Sequence, residues 1–164
     1  MRDQGIWFYN QSLKFLNGQG VAKDPAEAFR LNSESADRGY HDAVLPMGWF
    51  YLNGTGVARD RDEAHHWYRQ SARQGDARAM FSLGQMAYDD HDFDEAHKWF
   101  SRAIDAGHLR SLFWMGKLYW HGRGVPTDKK QAAVLFDRAA RAKVPEAQRA
   151  VRFLGRRGSR PTRG

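Results

Sequence analysis

Apolar residues at helical spacing, broken at regular intervals by glycine, organise this chain. Between Ala43 and Gly75 the positions Val44, Met47, Gly48 and Tyr51 line up as one face of a helix. Gly54-Thr55-Gly56-Val57 then interrupts the pattern with residues that tolerate positive φ, which predicts a turn. A second helix is predicted to follow. Asp60 caps it, Glu63 three residues on reaches back to the cap, and Gly75 lets the chain leave in a left-handed turn.

The same signature recurs as Asp24/Glu27, Asp60/Glu63, Asp92/Glu95 and Asp128/Gln131, at intervals of 36, 32 and 36 residues. Each is followed by an alanine (Ala28, Ala64, Ala96, Ala132), a large apolar residue (Leu31, Trp67, Trp99, Leu135) and a small one (Ser35, Ser71, Ala103, Ala139). That is the i, i+3, i+7 stripe of a buried helix face. Gly39, Gly75 and Gly107 close three of these helices, and Lys143-Val144-Pro145 closes the fourth. Ahead of each lies another predicted helix: Ile6 to Leu16, Asp42 to Leu52, Arg78 to Tyr88 and Arg110 to Trp120. Gly48, Gly84 and Gly116 recur where a side chain would hold the paired helices apart, and Ser12 takes that place in the first pair. Three turns read Gly18-Gln19-Gly20-Val21, Gly54-Thr55-Gly56-Val57 and Gly122-Arg123-Gly124-Val125. The third unit has Asp89-Asp90-His91-Asp92 instead, and this shorter turn accounts for the 32-residue interval. Pro46 removes a backbone donor inside a predicted helix and either delays or kinks it. Glu146 to Leu154 reads as one further, more charged helix, as expected of the end of an array.

These residues resemble the Sel-one-like repeat family, a branch of the tetratricopeptide-like α-solenoids. The likeness is carried by Leu83-Gly84 and Met115-Gly116-x-x-Tyr119, by the G-x-G-V turns, by Asp-x-x-x-Ala, and by a Trp ahead of the glycine-closed end. It spans Ile6 to about Leu154. The resemblance implies an all-α, right-handed superhelical α-solenoid of four helix-turn-helix repeats plus a C-terminal capping helix. It also implies protein interaction and complex assembly, with no catalysis and no cofactor. The expected division is a repeat domain over residues 1–155 and a basic, flexible tail over 156–164.

In that arrangement the first helix of each pair lines the concave surface. The expected partner-binding residues are then Leu45, Trp49 and Leu52, Phe81, Gln85 and Tyr88, and Phe113, Lys117 and Trp120, with Tyr9, Leu13 and Leu16 at the equivalent places of the first pair. All but Gln85 and Lys117 are apolar or Tyr, whereas a groove that met only water would be mostly polar. The alternative is that several of these side chains pack against neighbouring helices. Arg78, Arg110 and Lys117 near the same face favour a partner with acidic groups. The partner is a protein or peptide, bound by an adaptor or by an inhibitor or immunity-type protein that blocks an enzyme or effector.

Composition narrows the remaining classes. The chain holds no cysteine, which removes disulfides, thiolate nucleophiles and cysteine zinc sites. Its G-x-G turns follow no strand and lack Gly-Lys-Ser/Thr, so they are turns and not phosphate loops. Seven histidines are present, but no convergent ligand motif, and Asp92 of the densest cluster is assigned to a helix cap. The acidic residues read as caps and helix surface, leaving no nucleophile with its base. The start MRDQGIWFYNQSLKF lacks a signal-peptide pattern and no apolar run is long enough to span a membrane, so the expected location is cytoplasmic unless an export leader has been lost. The net charge of +7 is concentrated at one end: residues 138–164 carry a net +8 and residues 1–137 a net −1. This Arg-rich end supplies a second route to a partner, by nucleic-acid or anionic-surface binding. At the other end Ile6-Trp7-Phe8-Tyr9 places more apolar surface on one helix than a single neighbour covers. Either Trp7 folds over the end as a plug, or this edge self-associates or meets another chain.

Overall fold

The computed structural model describes residues 2–158. They form helices α1 (Arg2–Asn17), α2 (Pro25–Asp37), α3 (Val44–Asn53), α4 (Arg61–Arg73), α5 (Ala77–Asp89), α6 (Phe93–Asp105), α7 (Ser111–His121), α8 (Lys129–Arg141) and α9 (Pro145–Gly158). A single 3-10 turn, His41–Ala43, precedes α3, and no strand occurs among the described residues. The fold is all-α, and its helices pair as α1–α2, α3–α4, α5–α6 and α7–α8 with α9 packed on α8. The chain divides into two compact units, Met1–Ala79 and Met80–Gly164. Helix α9 runs past the expected boundary at residue 155, and residues 159–164 of the expected tail lie outside the described residues.

The caps form as the sequence predicts, but only in one direction. Asp24, Asp60, Asp92 and Asp128 each accept a hydrogen bond from the N–H three residues on, at Glu27, Glu63, Glu95 and Gln131 (2.9–3.1 Å). Glu63 does not reach back. The N–H it would satisfy is already used, because Asp60 donates to the carbonyl of Tyr51 in the preceding helix (2.9 Å). Asp24 donates likewise to Phe15, Asp128 to Tyr119, and Asp92 to Ala87. The aspartate therefore joins the helices of a pair through its backbone while its side chain starts the second of them. Freed from that role, Glu27 pairs with Arg30 at 2.7 Å.

Each second helix ends with the N–H of the residue after the left-handed position returning to a carbonyl five residues back: Tyr40 to Ser35, Asp76 to Ser71, His108 to Ala103 and Val144 to Ala139. The left-handed residue is Gly39, Gly75 or Gly107 in three cases and Lys143, at φ 61°, in the fourth. A side chain in that conformation costs about 1–2 kcal/mol. Lys143→Gly is therefore expected to raise stability by about 1 kcal/mol, read as a higher urea midpoint; an unchanged or lower midpoint would show that the Lys143 side chain repays its strain.

Pro46 delays its helix and does not kink it. The 3-10 turn His41–Ala43 occupies the place where the equivalent helix α5 has already begun, and Pro46 then falls in the first turn of α3, where N–H groups have no helical acceptor. Helix α5 instead starts at a built cap. The Asp76 carboxylate accepts from the Arg78 N–H (2.8 Å) and from its guanidinium (2.8 Å). Burial alone would raise the Asp76 carboxyl, but these bonds to Arg78 outweigh it and hold the group below its ordinary range.

Within three of the pairs the recurrent glycine faces one aromatic ring. A Cβ at Gly48 would lie 2.6 Å from the Tyr68 ring, at Gly84 2.5 Å from Phe100, and at Gly116 2.6 Å from Phe136. The first pair reverses both members. Where the others have an aromatic residue it has Asn32, and Ser12 stands where they have glycine. Both are buried, with Ser12 Oγ donating to Ala28 O (2.7 Å) and Asn32 Nδ2 to Ala43 O (2.9 Å). A smaller opposite residue leaves room for the larger one, and each polar group is satisfied.

Candidate functional site

Helical periodicity separates two faces of α7. Leu112, Met115, Gly116 and Leu118 are buried, while Phe113, Trp114, Lys117 and Trp120 stand together on the other side and are half-buried. Helix α5 contributes Gln85 and Tyr88, also half-buried. Tyr88 and Trp114 meet edge to face with centroids 5.0 Å apart. The Lys117 ammonium lies over both rings, 4.1 Å from the Trp114 centroid and 4.8 Å from that of Tyr88. Arg123, from the turn after α7, donates to the Tyr88 hydroxyl (2.7 Å) and lies 5.2 Å from the Phe93 ring. Phe113 and Trp120 lean on Phe136 of α8 from the other direction (5.6 and 6.3 Å).

The structure thus brings Tyr88 and Lys117 together as part of one aromatic cluster and seats Phe113 and Trp120 against α8. Phe81 does not join them. It is 9% exposed, tilted against Phe100 and stacked on His108 at 4.4 Å, so it belongs to the packing of α5. In the first unit α3 carries Leu45, Trp49 and Leu52 on one face; the two leucines are half-buried and Trp49 is 41% exposed. Tyr9, Leu13 and Leu16 of α1 are half-buried, and the Tyr9 ring rests against Tyr40 (5.3 Å). Burial raises the Tyr9 phenol, with Asp42 adding to the effect and Arg78 opposing it. At the N-terminal edge Trp7 remains 54% exposed and Ile6 39%, so the Trp7 ring is not buried as a plug.

Two of the cations expected to favour an acidic partner are already neutralised. Arg78 pairs with Asp76 (2.8 Å) and Arg110 with Glu146. Arg123, Trp114 and Phe93 join the aromatic cluster although they fall outside the residues expected from the sequence. Arg123 is the spacer of a G-x-G turn, and the available signal was that the equivalent spacers, Gln19 and Thr55, are uncharged. Asp92 caps α6 and His91 holds a left-handed conformation at φ 62°, which gives the acidic turn a structural task. Among the described residues no three His, Asp or Glu side chains converge as a metal site, and no helix is long and apolar enough to cross a membrane.

Four helix pairs, each with an aspartate cap on its second helix and each closed on a small residue, define an α-helical repeat protein of the solenoid class. The chain belongs to the Sel1 repeat family, whose profile matches residues 15–40, 43–76, 77–108 and 109–144. Sel1 repeats generally mediate protein–protein interaction, and the fold is typically a binding scaffold without catalysis. Among solved structures the chain is similar to a Sel1 repeat protein from Oxalobacter formigenes: 29% identity, TM-score 0.83, covering 90% of this chain and 62% of that one. It is similar also to c5321, a protective antigen of uropathogenic Escherichia coli with an SLR fold, at 25% identity and TM-score 0.82, covering 98% of this chain and 35% of that one. The immunity protein Pa5087 from Pseudomonas aeruginosa shares the fold at 18% identity and TM-score 0.61, over 88% of this chain and 55% of that one. The chain spans 62% and 35% of the length of the first two of these proteins. No curated protein matches it.

Proposed function

We infer that this chain is an adaptor module that binds a segment of a partner protein on the solvent-facing sides of its first helices. In the second unit the surface is formed by Tyr88, Phe113, Trp114, Lys117 and Trp120. In the first unit it is formed by Trp49 with Leu45 and Leu52. The observation that carries this reading is the aromatic side of α7, where large rings stand partly in water although the opposite side of the helix supplies the core. Aromatic side chains held in that way offer large contact area at small entropic cost, because their neighbours already restrict them.

The test is a full-length Tyr88→Ser, Trp114→Ala, Trp120→Ala variant compared with wild type by affinity capture from the native host. Loss of most captured protein with an unchanged helical circular dichroism spectrum is the expected result. An unchanged set of captured proteins would overturn the reading. Because the triple change removes ring packing, Trp49→Ser serves as a second, structurally milder variant, for which a several-fold loss of captured material is expected.

A further inference from the structure

Several cations of this protein are matched by carboxylates. Arg30 pairs with Glu27, Arg38 with Glu34, Arg78 with Asp76, Arg110 with Glu146 and Arg141 with Asp137. Lys117 and Arg123 are not among them, and what sets them apart is that they converge on one ring. Among the described residues neither makes an ion pair, yet both are drawn to the ring of Tyr88, Lys117 over its face and Arg123 at its hydroxyl. Lys117 is half-buried, and its ammonium lies beside the π-faces of Trp114 and Tyr88. The Tyr88 oxygen accepts from Arg123, which leaves its own proton free to be donated elsewhere. One ammonium, the remaining guanidinium N–H groups and one phenolic proton are thus grouped around a single ring, and neither cation has an ion pair among the described residues.

The geometry points to a binding site for the Asp or Glu side chain of a partner segment, the carboxylate received by Lys117, Arg123 and the Tyr88 hydroxyl while an adjacent apolar residue of the same segment covers Trp114. This rests on the adaptor reading above and specifies the chemistry of its partner. A carboxylate supplies the missing charge, and a planar guanidinium matches its two oxygens. A nucleic-acid strand fits less well. Asp89, Asp92 and Asp94 are exposed and flank Tyr88 and Phe93 in the chain, and Asp92 and Asp94 line a cleft of about 290 Å³ beside Gly124. A phosphodiester backbone would have to run its repeated charges along those carboxylates, whereas a peptide can place one acidic side chain between the two cations and an uncharged residue next to the aspartates.

The experiment uses the full chain and three fluorescein-labelled probes followed by anisotropy: a short peptide alternating Glu with Leu and Phe, the same peptide with Gln for every Glu, and oligothymidylate. The Glu peptide is expected to bind wild type at least about tenfold more tightly than the Gln peptide or oligothymidylate, with about tenfold weakening by Lys117→Met and by Arg123→Gln and a several-fold weakening by Tyr88→Phe. Arg160→Gln with Arg163→Gln, which removes charge from the C-terminal end, is expected to change affinity less than twofold. Equal binding of the Glu and Gln peptides, no binding of the Glu peptide, tighter binding of oligothymidylate, or a loss of affinity confined to the Arg160/Arg163 variant would each overturn the proposal. The two readings separate in the capture assay. Partner protein lost by the Trp114 and Trp120 changes but kept by Lys117→Met with Arg123→Gln would sustain the adaptor surface and refute its acidic specificity; retention by both variants would refute both.

Discussion

Gly56→Ala is expected to be among the most damaging single-methyl additions this chain can suffer, with a loss of about 3–5 kcal/mol against a total stability of roughly 5–15 kcal/mol for a domain. Two costs combine at this residue. Gly56 has φ 71°, where any Cβ is strained by about 1–2 kcal/mol. The added carbon would also overlap the carbonyl of Pro25 and lie 2.7 Å from the Ala26 nitrogen, and this is backbone at the start of α2 that cannot rotate aside. Relief requires the turn to lift off the helix beneath it. The same substitution at Gly20 meets no atom within 4 Å and should cost only the strain, about 1–2 kcal/mol. Gly124→Ala is expected to fall between them, with the Phe93 backbone 2.6 Å away. Urea unfolding of the three variants checks the order, and hydrogen exchange at the start of α2 reports where Gly56→Ala acts. Equal costs at Gly20 and Gly56 would show that the turn is free to shift and that the second glycine serves conformation alone.

That comparison also explains what could be read from the sequence and what could not. The period, the aspartate caps, the closing glycines and the G-x-G turns are local signals, each enforced by the backbone of a few consecutive residues, and all of them appear where the pattern places them. Long-range contacts were not legible. Nothing in Gly54-Thr55-Gly56-Val57 announces that its second glycine touches Pro25, a residue of the preceding repeat. Asp60 looked ready for a reciprocal capping box, but the Tyr51 carbonyl claims its N–H, and that acceptor depends on the path of the turn. Phe81 lies at the same offset from its glycine as the other residues of the expected binding strip, yet His108 stacks on its ring and it is buried. Periodicity identifies which residues share a face, but in an array the face of a first helix is covered to different depths by whatever the next turn presents. Arg123 shows the converse, since a residue counted as a turn spacer reaches Tyr88.

The glycine–aromatic contact inside three of the pairs yields the second large effect, because it couples two positions that the first pair solves differently. Gly116→Ser is expected to cost about 1–3 kcal/mol, since its Cβ would lie 2.6 Å from the Phe136 ring in a packed interior. Phe136→Asn should cost about 3–5 kcal/mol through lost burial and the cavity it leaves. Combined, they copy the arrangement of Ser12 and Asn32: the serine hydroxyl would find the Ala132 carbonyl, equivalent to that of Ala28, and the asparagine would approach Ala147, equivalent to Ala43. The double variant is therefore expected to be at least about 2 kcal/mol more stable than the sum of the single costs implies, although still below wild type. Strict additivity in urea unfolding would mean that the ring and the glycine do not determine each other. The same cycle reaches function, because Phe136 supports Phe113 and Trp120 from behind. Phe136→Leu, which keeps an apolar side chain but shortens that support, should weaken partner capture several-fold without Phe136, 5% exposed, being available to the partner. Unchanged capture by Phe136→Leu would place the binding surface nearer Tyr88 and Trp114, away from the α8 side.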